Sequence, residues 1–441
     1  MKIRLLAALI LLITGNLLSS SLSIAQSNPR YISFAGVPNA VKGALWAPDP
    51  PQPAPHVGIV VMHRASNFMN DLACPELSKR GFLVMCMNPR SDNNESAVRW
   101  ETIPLDVKVG VEFLKKQPGI TKIALWGFSG GGPTMTFYQN VAENGVSVCQ
   151  GKNKLVQCGN ALAGLPRADA LILVDAHPGN PVNGIRSINP AVTDETRPDQ
   201  VDSGLDPFNP KNGYNPNGPS RYSDEFKSKY FKAQAARMNK LIDRALDKQA
   251  RMKEGKYAYP DDDVFLVPRG DGARLLQLDL SIHHSTAKPQ KLLKNDGTIV
   301  TQIVESVRVA NPGLAKQNAS FENGTRLLTI QSFLSANATR ATDSMDGIDY
   351  CSSNNSPPCH LPTITVPLLV SAMGGHYFIR DNEIHYERAG SRDKDFIVVE
   401  GAVHGQTPCV PCESFPGQYS NTVKNFYDYV RNWIDKRVPK T

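Results

Sequence analysis

Four stretches of this chain are apolar almost without interruption: HVGIVVMH (56–63), FLVMCMN (82–88), KIALW (122–126) and ADALILVDAH (168–177). Runs of this length that do not alternate with polar residues are the mark of strands covered on both faces, as in a parallel sheet. Between them lie helical segments. LACPELSKRG stops at a glycine, IPLDVKVGVEFLKKQPG places Val107, Val111 and Leu114 at helical spacing before a Pro-Gly stop, and GGGPTMTFYQNVAENG follows the third run. Strand and helix alternate, which predicts an α/β fold with a mostly parallel central sheet flanked by helices. The alternation breaks near residue 180. It resumes at TVPLLVSAM (365–373) and DFIVVEGAVHG (395–405), and the chain closes on an amphipathic helix with Val423, Phe426, Tyr427, Val430 and Trp433 on one face.

The break, residues 186–361, is too long for a plain loop. It opens on the Pro-, Asn- and Gly-rich stretch DPFNPKNGYNPNGP. A long helix is then expected from about 223 to 255, with Phe226, Tyr230, Met238, Leu241, Ile242 and Ala245 on its buried face. Shorter strand-like pieces such as TIVTQIVESVRV follow. The segment reads as a cap inserted between two late core strands, and the core as residues 27–185 and 362–441.

The start of the chain has its own character. MKIR is basic, LLAALILLI is apolar, and SIA precedes Gln26, so residues 1–25 read as a secretory signal peptide. Thr14, Gly15 and Asn16 interrupt the apolar run, which is short for a membrane anchor, and no later stretch is long enough to span a bilayer. A secreted or periplasmic location follows. In that oxidising setting the eight cysteines read as disulfides, the close neighbours being Cys74 and Cys86, Cys149 and Cys158, Cys351 and Cys359, and Cys409 and Cys412. Spacing alone leaves their pairing open. The net charge is +7, or +5 without Lys2 and Arg4. The basic residues are scattered among acids, so no nucleic-acid footprint is expected.

The chemistry centres on GFSGG (127–131), which matches G-x-S-x-G between a predicted strand and a predicted helix. In that context Ser129 is expected in a strained turn with its hydroxyl exposed. A phosphate-binding turn would need G-x-G-x-x-G or a lysine after the glycines, and neither is present. A serine nucleophile needs a base, and the base needs a group to orient it. Of nine histidines, His404 is the best placed, on a glycine-flanked turn after the last strand.

With those residues in place, the chain resembles the α/β-hydrolase superfamily of serine hydrolases, over about residues 30–185 and 362–438. GFSGG resembles the family's nucleophile elbow and EGAVHG its histidine turn. VVMHRAS resembles the strand end and loop that supply one oxyanion donor, where the family usually has His-Gly; here Arg64 stands at the glycine's place. The resemblance implies oxyanion donors from the backbone of Gly130 and of Arg64 or Ala65. It implies a serine hydrolase acting on a carboxylic ester, the alternatives being an amide, lactone or carbon–carbon bond cleaved by the same residues or a non-catalytic secreted binding protein on this fold, and neither a cofactor nor a metal is expected.

The acid is left open. The family usually carries one shortly after the strand read here as PLLVSAM, where this chain has His376. Asp175 ends the strand after the nucleophile, at a carboxyl end where α/β sheets place functional groups. Glu383 and Asp381 lie further along in HYFIRDNEIH. His177 and His376 are expected to line the pocket. Asp261, Asp262 and Asp263 read as a solvated turn, since they lack EF-hand spacing. The adjacent His283 and His284 would face opposite ways in a strand and so would not share a metal.

Overall fold

A computed structural model describes residues 29–34, 41–49 and 54–440. The expected signal peptide lies outside the described residues. A ten-stranded sheet is built from β1 (Arg30–Ser33), β2 (Lys42–Trp46), β3 (Val57–Met62), β4 (Leu83–Asn88), β5 (Lys122–Phe128) and β6 (Ala170–Val174). It continues through β11 (Leu368–Met373), β12 (Lys394–Val399), β8 (Gln290–Leu293) and β9 (Ile299–Gln302). The order is β1-β2-β4-β3-β5-β6-β11-β12-β8-β9. From β4 to β8 every neighbouring pair is parallel; β1, β2 and β9 pair antiparallel at the edges.

The continuous apolar runs have a direct cause. Every residue of β3, β4, β6 and β11 is buried. Alternate side chains serve two separate cores, one on each face. Val60 and Met62 of β3 join a cluster with Val107, Val111 and Leu114 of α2 (Ile103–Lys115) and Met135 and Phe137 of α3 (Gly131–Asn144). Val57, Ile59 and Val61 point the other way, toward Phe426, Tyr427, Val430 and Trp433 of the C-terminal helix Thr422–Arg437.

The expected long helix runs from Asp224 to Lys253. The Ser223 side chain accepts from the Phe226 N–H, acids sit in the first turn and Arg251 and Lys253 in the last, which suits the helix dipole. Its buried face is the expected one. Met238, Leu241, Ile242 and Ala245 pack on Phe265 of β7 (Val264–Val267) and Leu328 of β10 (Arg326–Thr329), an antiparallel pair belonging to the insertion itself. Each fully buried Leu or Ile contributes about 2 kcal/mol by transfer alone.

Two boundaries differ from expectation. The insertion does not stand wholly apart from the core, because its β8–β9 hairpin extends the central sheet beyond β12. The helix Asn180–Ser187 straddles the expected boundary at residue 186, and its Ile185 packs in the insertion's own cluster.

The eight cysteines pair with their sequence neighbours, 74–86, 149–158, 351–359 and 409–412, at Cα separations of 5.2–6.3 Å. Among the described residues no helix is long and apolar enough to cross a membrane.

Candidate active site

Ser129 follows β5 directly and precedes α3. Its φ is +54°, a left-handed value that costs a non-glycine residue energy and is held only by surrounding structure. Part of that hold is a pair of strand-like bonds, Ser129 N–H to Val174 O (3.1 Å) and His177 N–H to Ser129 O (3.4 Å). The glycines around it are steric necessities. A Cβ on Gly127 would sit 2.7 Å from the Gly132 Cα, one on Gly131 2.7 Å from the Met62 carbonyl oxygen, and one on Gly132 2.3 Å from the Ala176 Cβ. The helix can start this close to the ends of β3 and β6 only without side chains at those positions. Ser129 is half-buried.

His404 sits on the turn after β12, its ring tilted over Phe128 (centroids 4.9 Å apart) and stacked on His376 (4.4 Å). The turn is shaped by Gly401, φ +60°, where any Cβ would enter the Tyr419 ring. Below it, Cys409 bonds back to the Gly401 carbonyl and is tied to Cys412. His404 Nε2 lies 2.9 Å from Ser129 Oγ, and His404 Nδ1 lies 2.6 Å from Asp175 Oδ2.

Asp175 is fully buried at the end of β6 with φ +40°. Its other oxygen accepts from the Met373 N–H at 3.1 Å. Burial alone would raise its pKa; the two imidazoles set against it, His376 and His404, outweigh burial and hold it below the ordinary value. The carboxyl ends of β6 and β11 are neighbours, with the Asp175 N–H bonded to Ser371 O at 2.7 Å. A carboxylate rooted on either strand could therefore reach the same histidine. Here β6 carries the carboxylate that meets His404, and the β11 side carries His376.

Of the other acid candidates, neither meets His404. Glu383 is fully buried and accepts from the backbone of Ala287 (2.7 Å) and Lys288 (3.0 Å), the side chain of Gln290 (2.9 Å) and Arg380. It ties the helix Ile379–Arg388 to the insertion. Asp381 forms a buried ion pair with Arg186 at 2.8 Å. Both side chains serve as structural anchors, and of the three acids left open by the sequence only Asp175 contacts His404.

The expected oxyanion donors separate in the same way. Neither the Gly130 nor the Arg64 N–H has an acceptor among the described residues. The Ala65 N–H is turned away to His63 Nδ1, at 3.2 Å, so Ala65 is not available for that role.

Asp175, His376 and His404 also place three potential metal-ligand atoms within 4.8 Å of one another. The His404 contact is a hydrogen bond. His376 Nδ1 and His404 Nδ1 approach Asp175 Oδ2 to 2.7 and 2.6 Å, whereas tetrahedral ligation of zinc would part such atoms by about 3.3 Å. The His376 contact lacks hydrogen-bond direction, and burial pushes the ring's pKa down to about 4, so it is neutral near pH 7.

The first eight sheet positions, β1-β2-β4-β3-β5-β6-β11-β12, with the serine turn after β5 and the histidine turn after β12, define the α/β-hydrolase fold. No protein-family model matches the chain, and no curated protein does. Among solved structures it is similar to DcsB in complex with its substrate analogue (TM-score 0.45, 11% identity, 93% of this chain and 100% of that one). It is similar to the α/β hydrolase GrgF from Penicillium sp. sh18 (0.45, 11%, 93% and 98%) and to brefeldin A esterase, a bacterial homologue of human hormone sensitive lipase (0.41, 10%, 94% and 80%). Overlaps this loose add nothing to the assignment, which rests on strand order and the two turns.

Proposed function

We propose that this chain is an exported serine hydrolase that cleaves a carboxylic ester through an acyl-enzyme on Ser129. The observation that carries the reading is the continuous hydrogen-bonded line Ser129–His404–Asp175 at 2.9 and 2.6 Å. His404 Nε2 takes the Ser129 proton as Oγ attacks the carbonyl carbon, and then delivers it to the departing alkoxide. Asp175 keeps the imidazole proton on Nδ1 and stabilises the imidazolium that forms. The Gly130 and Arg64 N–H groups receive the oxyanion, commonly the largest electrostatic contribution in acyl transfer. Water, activated by the same histidine, releases the acid.

The insertion reaches the site through the loop after β11. The Ser306 hydroxyl donates to the carbonyls of Gly374 or His376, both at 3.1 Å, and the Arg274 guanidinium lies 5.3 Å from the Tyr377 ring centroid. In this reading the insertion is a cap that shapes the entrance and sets selectivity. Four disulfide pairs suit an oxidising compartment, which supports export. The test is hydrolysis of a graded series of ethyl esters by the wild type and by Ser129→Ala. Turnover in the wild type and none in the variant is expected; equal turnover in both refutes the mechanism.

A further inference from the structure

Beside Ser129, three nitrogen groups converge on Gly130. A Cβ at Gly130 would lie 2.2 Å from Arg64 Nη1, 2.3 Å from His63 Nε2 and 3.0 Å from His177 Nε2. Arg64 Nη1 is 3.2 Å from the first imidazole nitrogen and 3.5 Å from the second. The backbone decides which of these nitrogens carry protons. His63 Nδ1 is approached by two N–H donors, Ala65 at 3.2 Å and Ser66 at 2.9 Å, so it must be the acceptor. His177 Nδ1 is approached by the Gly179 N–H at 3.3 Å. Burial, with Arg64 beside them, holds both rings neutral. A neutral imidazole has one donor and one acceptor, so both protons lie on Nε2. Both Nε2–H groups thus face a guanidinium, and three donors meet with no acceptor among them.

The arrangement is buried and only partly compensated. Arg64, His63 and His177 are 9%, 6% and 4% exposed, so each keeps a small open face. Glu95 takes Arg64 Nη2 at 2.5 Å, which leaves Nη1 without an acceptor and Nε buried with no partner at all. Buried donors normally find acceptors, and a group of them brought together without one is costly. An anionic oxygen within hydrogen-bonding distance of Arg64 Nη1 and the two Nε2–H groups would satisfy all three, and a planar carboxylate matches the guanidinium fork.

We propose that Arg64, His63 and His177 form an anion subsite that holds a carboxylate on the acyl part of the substrate, so that this enzyme favours half-esters of short dicarboxylic acids. The leaving group has to lie at His404 Nε2, which protonates it, whereas the subsite flanks Gly130 on the oxyanion side; the carboxylate therefore belongs to the acyl half. This rests on the serine hydrolase reading above.

Two measurements test it. The first is kcat/KM for monoethyl succinate against ethyl butyrate, followed by ethanol release, in the wild type and in Arg64→Gln, which leaves the residue's backbone N–H in place. A wild-type preference for the half-ester that falls by about tenfold or more in the variant is expected, the size of one lost charge-assisted interaction. A ratio unchanged between the two proteins overturns the subsite. The second is calorimetric titration of succinate into Ser129→Ala with and without Arg64→Gln. Binding that weakens about tenfold or more with the second substitution supports the subsite, and its absence, or binding indifferent to Arg64, overturns it. Binding without the kinetic preference would mark a site for free anions and overturn the substrate assignment. If the wild type is inert to both esters and to a fluorophosphonate, it is the hydrolase reading that fails, and the titration alone decides the subsite.

Discussion

Replacing Asp175 by Asn tests the choice of acid directly. The substitution is isosteric. The amide oxygen can keep the bond from the Met373 N–H to Oδ1, measured at 3.1 Å. The atom facing His404 Nδ1 then becomes an NH2 donor, so the histidine must present a lone pair there and carry its proton on Nε2. A ring with Nε2 protonated cannot accept from Ser129 Oγ, 2.9 Å away. The loss is one of tautomer rather than of geometry, and such a change in a triad costs about 10⁴ in kcat, or about 5 kcal/mol of transition-state stabilisation. The assay is steady-state ester hydrolysis alongside a thermal melt. The expected result is a large fall in kcat with KM and the melt little changed. Glu383→Gln is the control. It removes a buried charge that accepts from two backbone N–H groups, Gln290 and Arg380, so it should cost stability by about 2–3 kcal/mol while kcat in the folded fraction stays near wild type. A kcat for Asp175→Asn within tenfold of wild type, with the large loss appearing in Glu383→Gln instead, would refute the reasoning.

Other consequences follow from groups away from the triad. Burial pushes Glu101 up to about 7, against opposing bonds from Ser335 and Asn354. Its folded pKa exceeds the unfolded one, so the stabilising protonated form is fully present below about pH 4.5 and is lost as pH rises to about 7, a decline of about 3 kcal/mol; Glu101→Gln should flatten that slope in denaturant melts between pH 4.5 and 8, and an unchanged slope would count against it. Alkylation of the purified protein without reductant should leave all eight cysteines unmodified, and four or more modified thiols would contradict the paired cysteines. Replacing residues 190–358 by a short linker would also delete β8 and β9, which lie at the sheet edge. A milder deletion that spares that hairpin is expected to keep activity on small activated esters and to lose selectivity, and retained selectivity would show the insertion has no part in the site.

Much of this site was legible in the sequence because its parts are local. The buried strands announce themselves as unbroken apolar runs, since each serves two cores. The serine turn is marked by glycines whose absent side chains make room for Met62 and Ala176, and the face of the long helix repeats at helical spacing. What was not legible depends on partners distant in the chain. Asp175, Glu383 and Asp381 look alike as acids near strand ends or helix starts; only the side-by-side placement of β6 and β11, and the anchors that occupy Glu383 and Asp381, separate them. The β8–β9 hairpin read as part of a cap because its strands are short and β9 is exposed along its length; nothing local says that β8 pairs with β12. The role of Ala65 turned on one backbone bond to the His63 ring, and the donor cluster around Arg64 turned on two tautomers set by backbone contacts. The signal that could have raised it was Arg64 standing where the resembling family keeps a glycine.

The central claim is that Ser129 is a nucleophile activated by His404, and labelling with a fluorophosphonate tests it most directly. The protein, treated with the probe, digested and mapped by mass spectrometry, should carry one adduct, on Ser129. Ser129→Ala should carry none, and His404→Ala should label far more slowly because no base withdraws the hydroxyl proton. No adduct on Ser129 in the folded wild type, or an equal labelling rate in His404→Ala, would contradict the account.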